Sequence, residues 1–153
     1  MGRVGTKQER RQAFFKGLMA EVELAELLKK WGFRVVRQPL GLVDLVAWKL
    51  LGCGRFPLVF EVKCVSMLTF IELTEKQYRK VMVLANVWEG LPVLAVKIEL
   101  DKAWRAVDLR EVDVRRVECY KNCDVERKGL MVPQYYLDHA FDLEGFLWVR
   151  GLL

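Results

Sequence analysis

Apolar positions along this 153-residue chain first recur with a helical period and then with the two-residue alternation of strands. From Phe14 to Trp31, a wheel drawn at about 100° per residue gathers Ala20, Leu24, Leu27, Leu28 and Trp31 on one side. Glu23, Glu26 and Lys30 occupy the other side, and Gly32 supplies the stop. Glu21 is the exception. It falls between Leu28 and Ala25 at the edge of the apolar arc, which predicts a carboxylate pointing towards the core or a cleft. Residues 1–12 lack this pattern and read as a basic, mobile arm.

Three runs rich in β-branched and aromatic residues follow, Phe33–Arg37, Leu42–Lys49 and Pro57–Lys63, and each predicts a strand. Gln38-Pro39-Leu40-Gly41 reads as a turn, and the Gly52-Cys53-Gly54 centre of Leu50–Phe56 suits a hairpin. A second helix is expected from about Glu75 to Trp88, with Thr74 as N-cap, Gln77 as its capping-box partner and Gly90 closing it. Pro92–Ile98 is apolar up to Lys97, as in a strand buried on both faces. Ala103–Leu109 and Val112–Tyr120 predict two more strands, Asn122–Val132 a polar loop, and Asp138–Val149 a short terminal helix. The order gives one α/β domain on a mixed sheet.

Composition narrows the chemistry. Ser66 is the only serine and His139 the only histidine, so a Ser-His-Asp triad has no supporting pattern, and carboxylates and lysines are left to carry any catalysis. A net charge of +5 suits a polyanionic partner without demanding one. The basic start lacks a signal peptide's apolar stretch, and no run of about 18 apolar residues exists to cross a membrane, so an intracellular, cytoplasmic protein is expected. Few polar uncharged residues, with 29% charged ones, lean towards a heat-adapted source. Cys53, Cys64, Cys119 and Cys123 fit no strong zinc spacing; ordinary thiols, a local Cys119–Cys123 disulfide and a metal role stay open.

Against this background three charges stand out. Alternation puts Asp44 and Val46 on one face of the second strand, and Glu61 and Lys63 on one face of the third, opposite Phe60, Val62 and Cys64. Both strands are otherwise apolar, and an unpaired charge there costs several kcal/mol, roughly. Asp44 and Glu61 on neighbouring strands form an oxygen-rich site for a hard divalent cation, Lys63 can hold a phosphate or polarise a water, and Glu21 can add an oxygen. The bland alternative is a buried Glu61–Lys63 salt bridge with Asp44 merely ending a strand.

Asp44 followed by Glu61-Val62-Lys63 resembles the D…(D/E)-x-K core of the PD-(D/E)XK nucleases. More narrowly, Lys16-Gly17-Leu18-Met19-Ala20-Glu21, the strand from Trp31 to Arg37, Val43–Ala47 and Leu91–Lys97 resemble, in order, the archaeal Holliday junction resolvases. That resemblance covers roughly residues 14–110. It implies a restriction-endonuclease-like αβββαβ core with a central mixed sheet, extra C-terminal strands and a short terminal helix. One nuclease domain over 1–153 is then expected: a flexible arm at 1–12, a catalytic core at 14–110, and a C-terminal strand, loop and helix at 111–153. The resemblance also implies metal ligation by Glu21, Asp44 and Glu61, with Lys63 assisting and Mg²⁺ (Mn²⁺ substituting) as cofactor. No small-molecule cofactor and no membrane are expected. Branched DNA would be the substrate, cut at a four-way junction by a homodimer, and a thermophilic archaeon or its virus the source. Arg37 matches an arginine the family uses on DNA; Arg34, Lys76, Arg79 and Lys80 lie outside the apolar patterns and are free for phosphates. The chain departs from the family's pattern at Val22, where an arginine is usual, and in the uncharged loop Gln38–Gly41.

Several residues keep two readings. Gln77 is a site residue or a helix cap, Phe141, Leu147 and Trp148 are a dimer seam or internal packing, and Lys7–Arg11 is a phosphate contact or a solvated tail. The function itself has two alternatives: a nuclease of the same fold with another DNA or RNA substrate, and a non-catalytic DNA-binding dimer.

Overall fold

Apolar periodicity marks only the packed part of the first helix, because α1 (Lys7–Lys30) begins well before Phe14. The computed structural model, which describes residues 5–51, 54–121 and 124–153, shows the cause. Thr6 caps the helix: its hydroxyl accepts from the Glu9 amide at 3.1 Å, and the Glu9 carboxylate accepts from the Thr6 amide at 2.7 Å. The mobile arm expected over 1–12 is thereby corrected to helix from Lys7 onwards, while residues 1–4 lie outside the described residues.

The strands β1 (Arg34–Arg37), β2 (Leu45–Leu51) and β3 (Gly54–Val65) form an antiparallel meander. Leu51 pairs with Gly54, and the turn between them, with Cys53, lies outside the described residues. After β3 come β4 (Ile71–Thr74) and α2 (Glu75–Val87), which cross over to β5 (Leu91–Ile98), parallel to β3. Antiparallel β6 (Ala103–Asp108) completes a mixed sheet of order β1-β2-β3-β5-β6. Gly90 is required at the entry to β5, since a Cβ there would meet the Pro57 carbonyl oxygen at 2.3 Å. As expected from its apolar run, β5 is buried on both faces up to half-buried Lys97.

Alternation in β3 divides the core. Leu58, Phe60 and Val62 face α1 and the C-terminal helix, packing with Leu24, Leu28, Phe146 and Leu147. Val59 faces α2 with Val46, Leu94, Val81 and Ala85. Three layers result, with α1 on one side of the sheet and α2 on the other.

The C-terminal third departs from expectation. The stretch read as a polar loop is mostly β8 (Asp124–Val132), which pairs with β7 (Arg115–Lys121) and with β4 in a second, three-stranded sheet of order β4-β8-β7. β8 is the central strand there, so two partners hold its backbone, and Leu130 and Val132 are buried in the α2-side core. The seventh strand begins at Arg115 rather than Val112, the fourth had no expected counterpart, and any bond between Cys119 and Cys123 lies outside the described residues. The terminal helix expected over Asp138–Val149 is the shorter α4 (Leu143–Trp148), and a helix with no expected counterpart, α3 (Gln134–Asp138), precedes it. They are split because the Phe141 carbonyl accepts from the Ala106 amide on β6, and Asp142 then starts a new helix by accepting from the Gly145 amide at 2.7 Å.

Candidate active site

At one end of the β1–β2–β3 meander the ladder stops short of its last hydrogen bonds. Strand β2 begins at Leu45, opposite Phe60, so the Val62 amide finds no β2 carbonyl partner in the ladder. Asp44 stands just outside the strand, a correction to its expected place within it, and its Oδ2 accepts from the Val62 amide at 2.8 Å. This bond fixes the Asp44 carboxylate against β3, beside the segment that bears Glu61 and Lys63.

Glu61 lies on the α2-facing side of β3 and is only 4% exposed. Lys63, two residues on, places its Nζ 3.6 Å from Glu61 Oε1 and donates to Gln77 Oε1 on α2 at 3.2 Å. The same Gln77 oxygen accepts from the Thr74 amide at 3.0 Å, so Gln77 caps α2 and holds Lys63 at once. Glu21 reaches the pocket from α1, is 9% exposed, and accepts from Arg37 Nη2 at 3.5 Å and Gln38 Nε2 at 3.3 Å. Gln38 is held at a positive φ of 47°, and its amide donates to the Asp44 carbonyl at 2.8 Å.

Glu21, Asp44, Glu61 and Lys63 line one pocket of about 470 Å³ with Gln38, Gln77 and, from α1, Ala13, Phe14, Gly17 and Leu18. Burial, then the charge of Asp44, pushes the Glu61 carboxyl up to about 8; Lys63 pulls the other way without cancelling this. Burial and then Asp44 likewise raise Glu21, partly offset by Gln38 and Arg37. Three carboxylates that Lys63 and Arg37 offset only in part suit a hard cation, and their donors are all oxygen. Among the described residues no three His, Cys, Asp or Glu side chains are already grouped tightly enough to hold an ion, so the carboxylates line the pocket without closing on a common point.

The other expected contacts are dispersed. Arg37 reaches the pocket edge through Glu21, whereas exposed Arg34 sits opposite Trp48 on β1. Lys76 and Arg79 are exposed on α2, Arg79 lying 3.6 Å from Glu75, and Lys80 is half-buried. Glu23, expected on the solvent side of α1, instead accepts from Lys97 and from the Trp104 indole of the sheet. Cys64 is a free thiol at the pocket wall, raised by burial and then by Glu99. Sequence reasoning missed Gln38 and the α1 wall residues. The turn chemistry of Gln38-Pro39 was visible, but nothing in it aimed a side chain at Glu21.

A solved structure with this fold is that of Archaeoglobus fulgidus Hjc, described as a Holliday junction resolvase from an archaeal hyperthermophile. It is 23% identical, with a TM-score of 0.65, and the alignment covers 90% of this chain and 98% of that one. The shared architecture is that of a mixed-sheet α/β protein. The family model for archaeal Holliday junction resolvases matches residues 12–131, and the chain belongs to that family. It is a junction-resolving nuclease.

Proposed function

We propose that the protein is a Mg²⁺-dependent endonuclease that hydrolyses DNA phosphodiesters at four-way junctions as a homodimer, built as a single nuclease domain and working in the cytoplasm. The observation that supports this most is the convergence of Glu21, Asp44, Glu61 and Lys63 on one pocket, with two of the carboxyls raised by burial and by Asp44. Glu21, Asp44 and Glu61 would hold the ion. A bound Mg²⁺, or Mn²⁺ in its place, supplies neutralisation of the phosphate and a bound water of lowered pKa. Lys63, steadied by Gln77, stabilises charge developing on the phosphate oxygens. Asp44, locked to the Val62 amide, keeps the carboxylates in register on the strand end. Arg37, with Arg34, Lys76, Arg79 and Lys80, holds the flanking phosphates. No helix among the described residues is long and apolar enough to cross a membrane.

The test is incubation with end-labelled junction, linear duplex and single-stranded DNA, with Mg²⁺, Mn²⁺, Ca²⁺ or excess EDTA. Paired nicks in the junction with Mg²⁺ or Mn²⁺, and binding with little cleavage in Ca²⁺, are expected. Full activity in EDTA refutes the metal role, and equal cleavage of linear duplex refutes the substrate. Binding without cleavage under every condition leaves a DNA-binding dimer.

A further inference from the structure

We propose that Phe14 is a base-stacking residue that positions the cleaved strand in the active-site pocket; the inference rests on the functional reading above. Phe14 is 74% exposed yet lines the pocket that holds Glu21, Asp44, Glu61 and Lys63. No aromatic partner is found for it among the described residues, and it belongs to neither core cluster. A large ring left in water beside catalytic carboxylates suits a platform for a nucleobase, because every base has a π-face to stack.

The helix geometry sets where that base lies. Phe14, Gly17 and Glu21 fall at i, i+3 and i+7, on one face of α1. At about 1.5 Å per residue, the ring sits about 10 Å along the helix from the carboxylate. A strand lying along that face, rising about 3.4 Å per nucleotide, brings to Phe14 a base about three steps from the scissile phosphate. Gly17 clears the path between them. A Cβ there would meet nothing within 4 Å, so packing inside the chain gives no reason for glycine, the poorest helix former after proline. Close approach of a phosphodiester backbone gives one. Around it Lys7, Arg10, Arg11 and Lys16 are exposed on the same helix, a cationic setting for the strand. In continuous duplex a base is already stacked on both sides, whereas next to a branch it can exchange a neighbour for the Phe14 ring, which favours branched substrates.

Phe15 is an internal control. It is 62% exposed, adjacent in sequence, and does not line the pocket. The experiment compares full-length wild type with Phe14→Ala, Phe14→Trp and Phe15→Ala. Junction cleavage in Mg²⁺ is read as kcat/KM, and binding in EDTA is read with 2-aminopurine scanned along the cleaved strand. Melting curves and sedimentation accompany each variant. Wild type is expected to perturb 2-aminopurine about three nucleotides from its cut. Phe14→Ala should lose that signal and about tenfold in kcat/KM, equivalent to about 1.4 kcal/mol, with unchanged melting. Phe14→Trp should retain both, and Phe15→Ala should match wild type. Wild-type fluorescence and cleavage in Phe14→Ala overturn the stacking role while leaving the nuclease reading intact. So does a loss of activity that tracks dissociation of the oligomer, which would make Phe14 a subunit contact. A wild type that leaves every DNA uncut overturns the functional reading and this inference together.

Discussion

At the scale of single residues, Asp44 performs two separable tasks, since its Oδ2 satisfies the Val62 amide and its charge raises Glu21 and Glu61. Asp44→Asn keeps an oxygen for the amide and removes the charge. It is expected to fold, to bind junction DNA at least as tightly as wild type, and to lose cleavage in a nicking assay. Asp44→Ala strands the Val62 amide as well and should cost about 1–3 kcal/mol in urea denaturation. An unfolded Asp44→Asn would show the residue to be structural instead. Glu61 predicts a pH effect with a definite sign. In the ion-free native protein it keeps its proton up to about pH 8, whereas its ordinary value is 4.5. Between these limits the native state binds more protons than the unfolded chain, so stability is full below the lower value and falls as pH rises towards the upper one. Urea denaturation in EDTA across this range should show the fall, and Glu61→Gln should flatten it. An equal slope in both proteins would trace the effect to another group.

At the scale of elements, α2 joins the site to the scaffold through its first turn. Thr74→Ala removes the bond to the Gln77 amide but leaves the Gln77 side chain on Lys63, so stability should fall by about 0.5–2 kcal/mol with cleavage largely kept. Gln77→Ala removes both the reciprocal cap and the Lys63 contact, and it should lower kcat as well as the melting temperature. Equal cleavage by the two variants would reduce Gln77 to a cap. This cap was legible in the sequence because its residues lie three apart, and Asp44, Glu61 and Lys63 were legible because charge inside an apolar run is conspicuous. Glu21 betrayed itself by its place on the helical wheel. What stayed hidden depends on pairing partners rather than on the segment's own periodicity. β8 is polar enough to read as loop, and becomes a strand through pairing with β4 and β7 on either side. The break between α3 and α4 arises from a bond to β6, invisible to local periodicity. The early start of α1 could have been read from Thr6 and Glu9, but the absence of apolar spacing there masked a solvent-exposed helical turn.

At the scale of the whole molecule, two features bear on how a junction is held. The C-terminal segment leaves Trp148 69% and Phe141 56% exposed, whereas Leu147 is wholly buried in the chain's own core, so of these three only the first two are free to form the proposed dimer seam. If the proposed homodimer closes through this seam, Trp148→Glu should lower the sedimenting mass towards the monomer while the melting curve stays cooperative; a dimeric mass in the variant would place the seam elsewhere, and a monomeric wild type would refute the dimer. A two-fold dimer presents each phosphate contact twice, in keeping with the approximate two-fold symmetry of a junction. Counterion release then makes log K fall linearly with log salt, with a slope of about −0.9 per neutralised phosphate on B-form arms. Arg37 is the informative residue, because its guanidinium lies 3.5 Å from Glu21 and is still partly exposed at the pocket edge. Arg37→Ala should make the slope shallower by about 1.8 for the dimer, one phosphate per subunit, and weaken binding. It also removes a group that holds Glu21 down, so the Glu21 carboxyl should rise further in the ion-free protein and titrate at higher pH. Fluorescence anisotropy across a salt series, on junction and on linear duplex, reads the first effect, and carboxyl-resolved NMR titration the second. A slope identical to wild type on both DNAs would confine Arg37 to an internal partner of Glu21 and leave the phosphates to Arg34 and the basic face of α2.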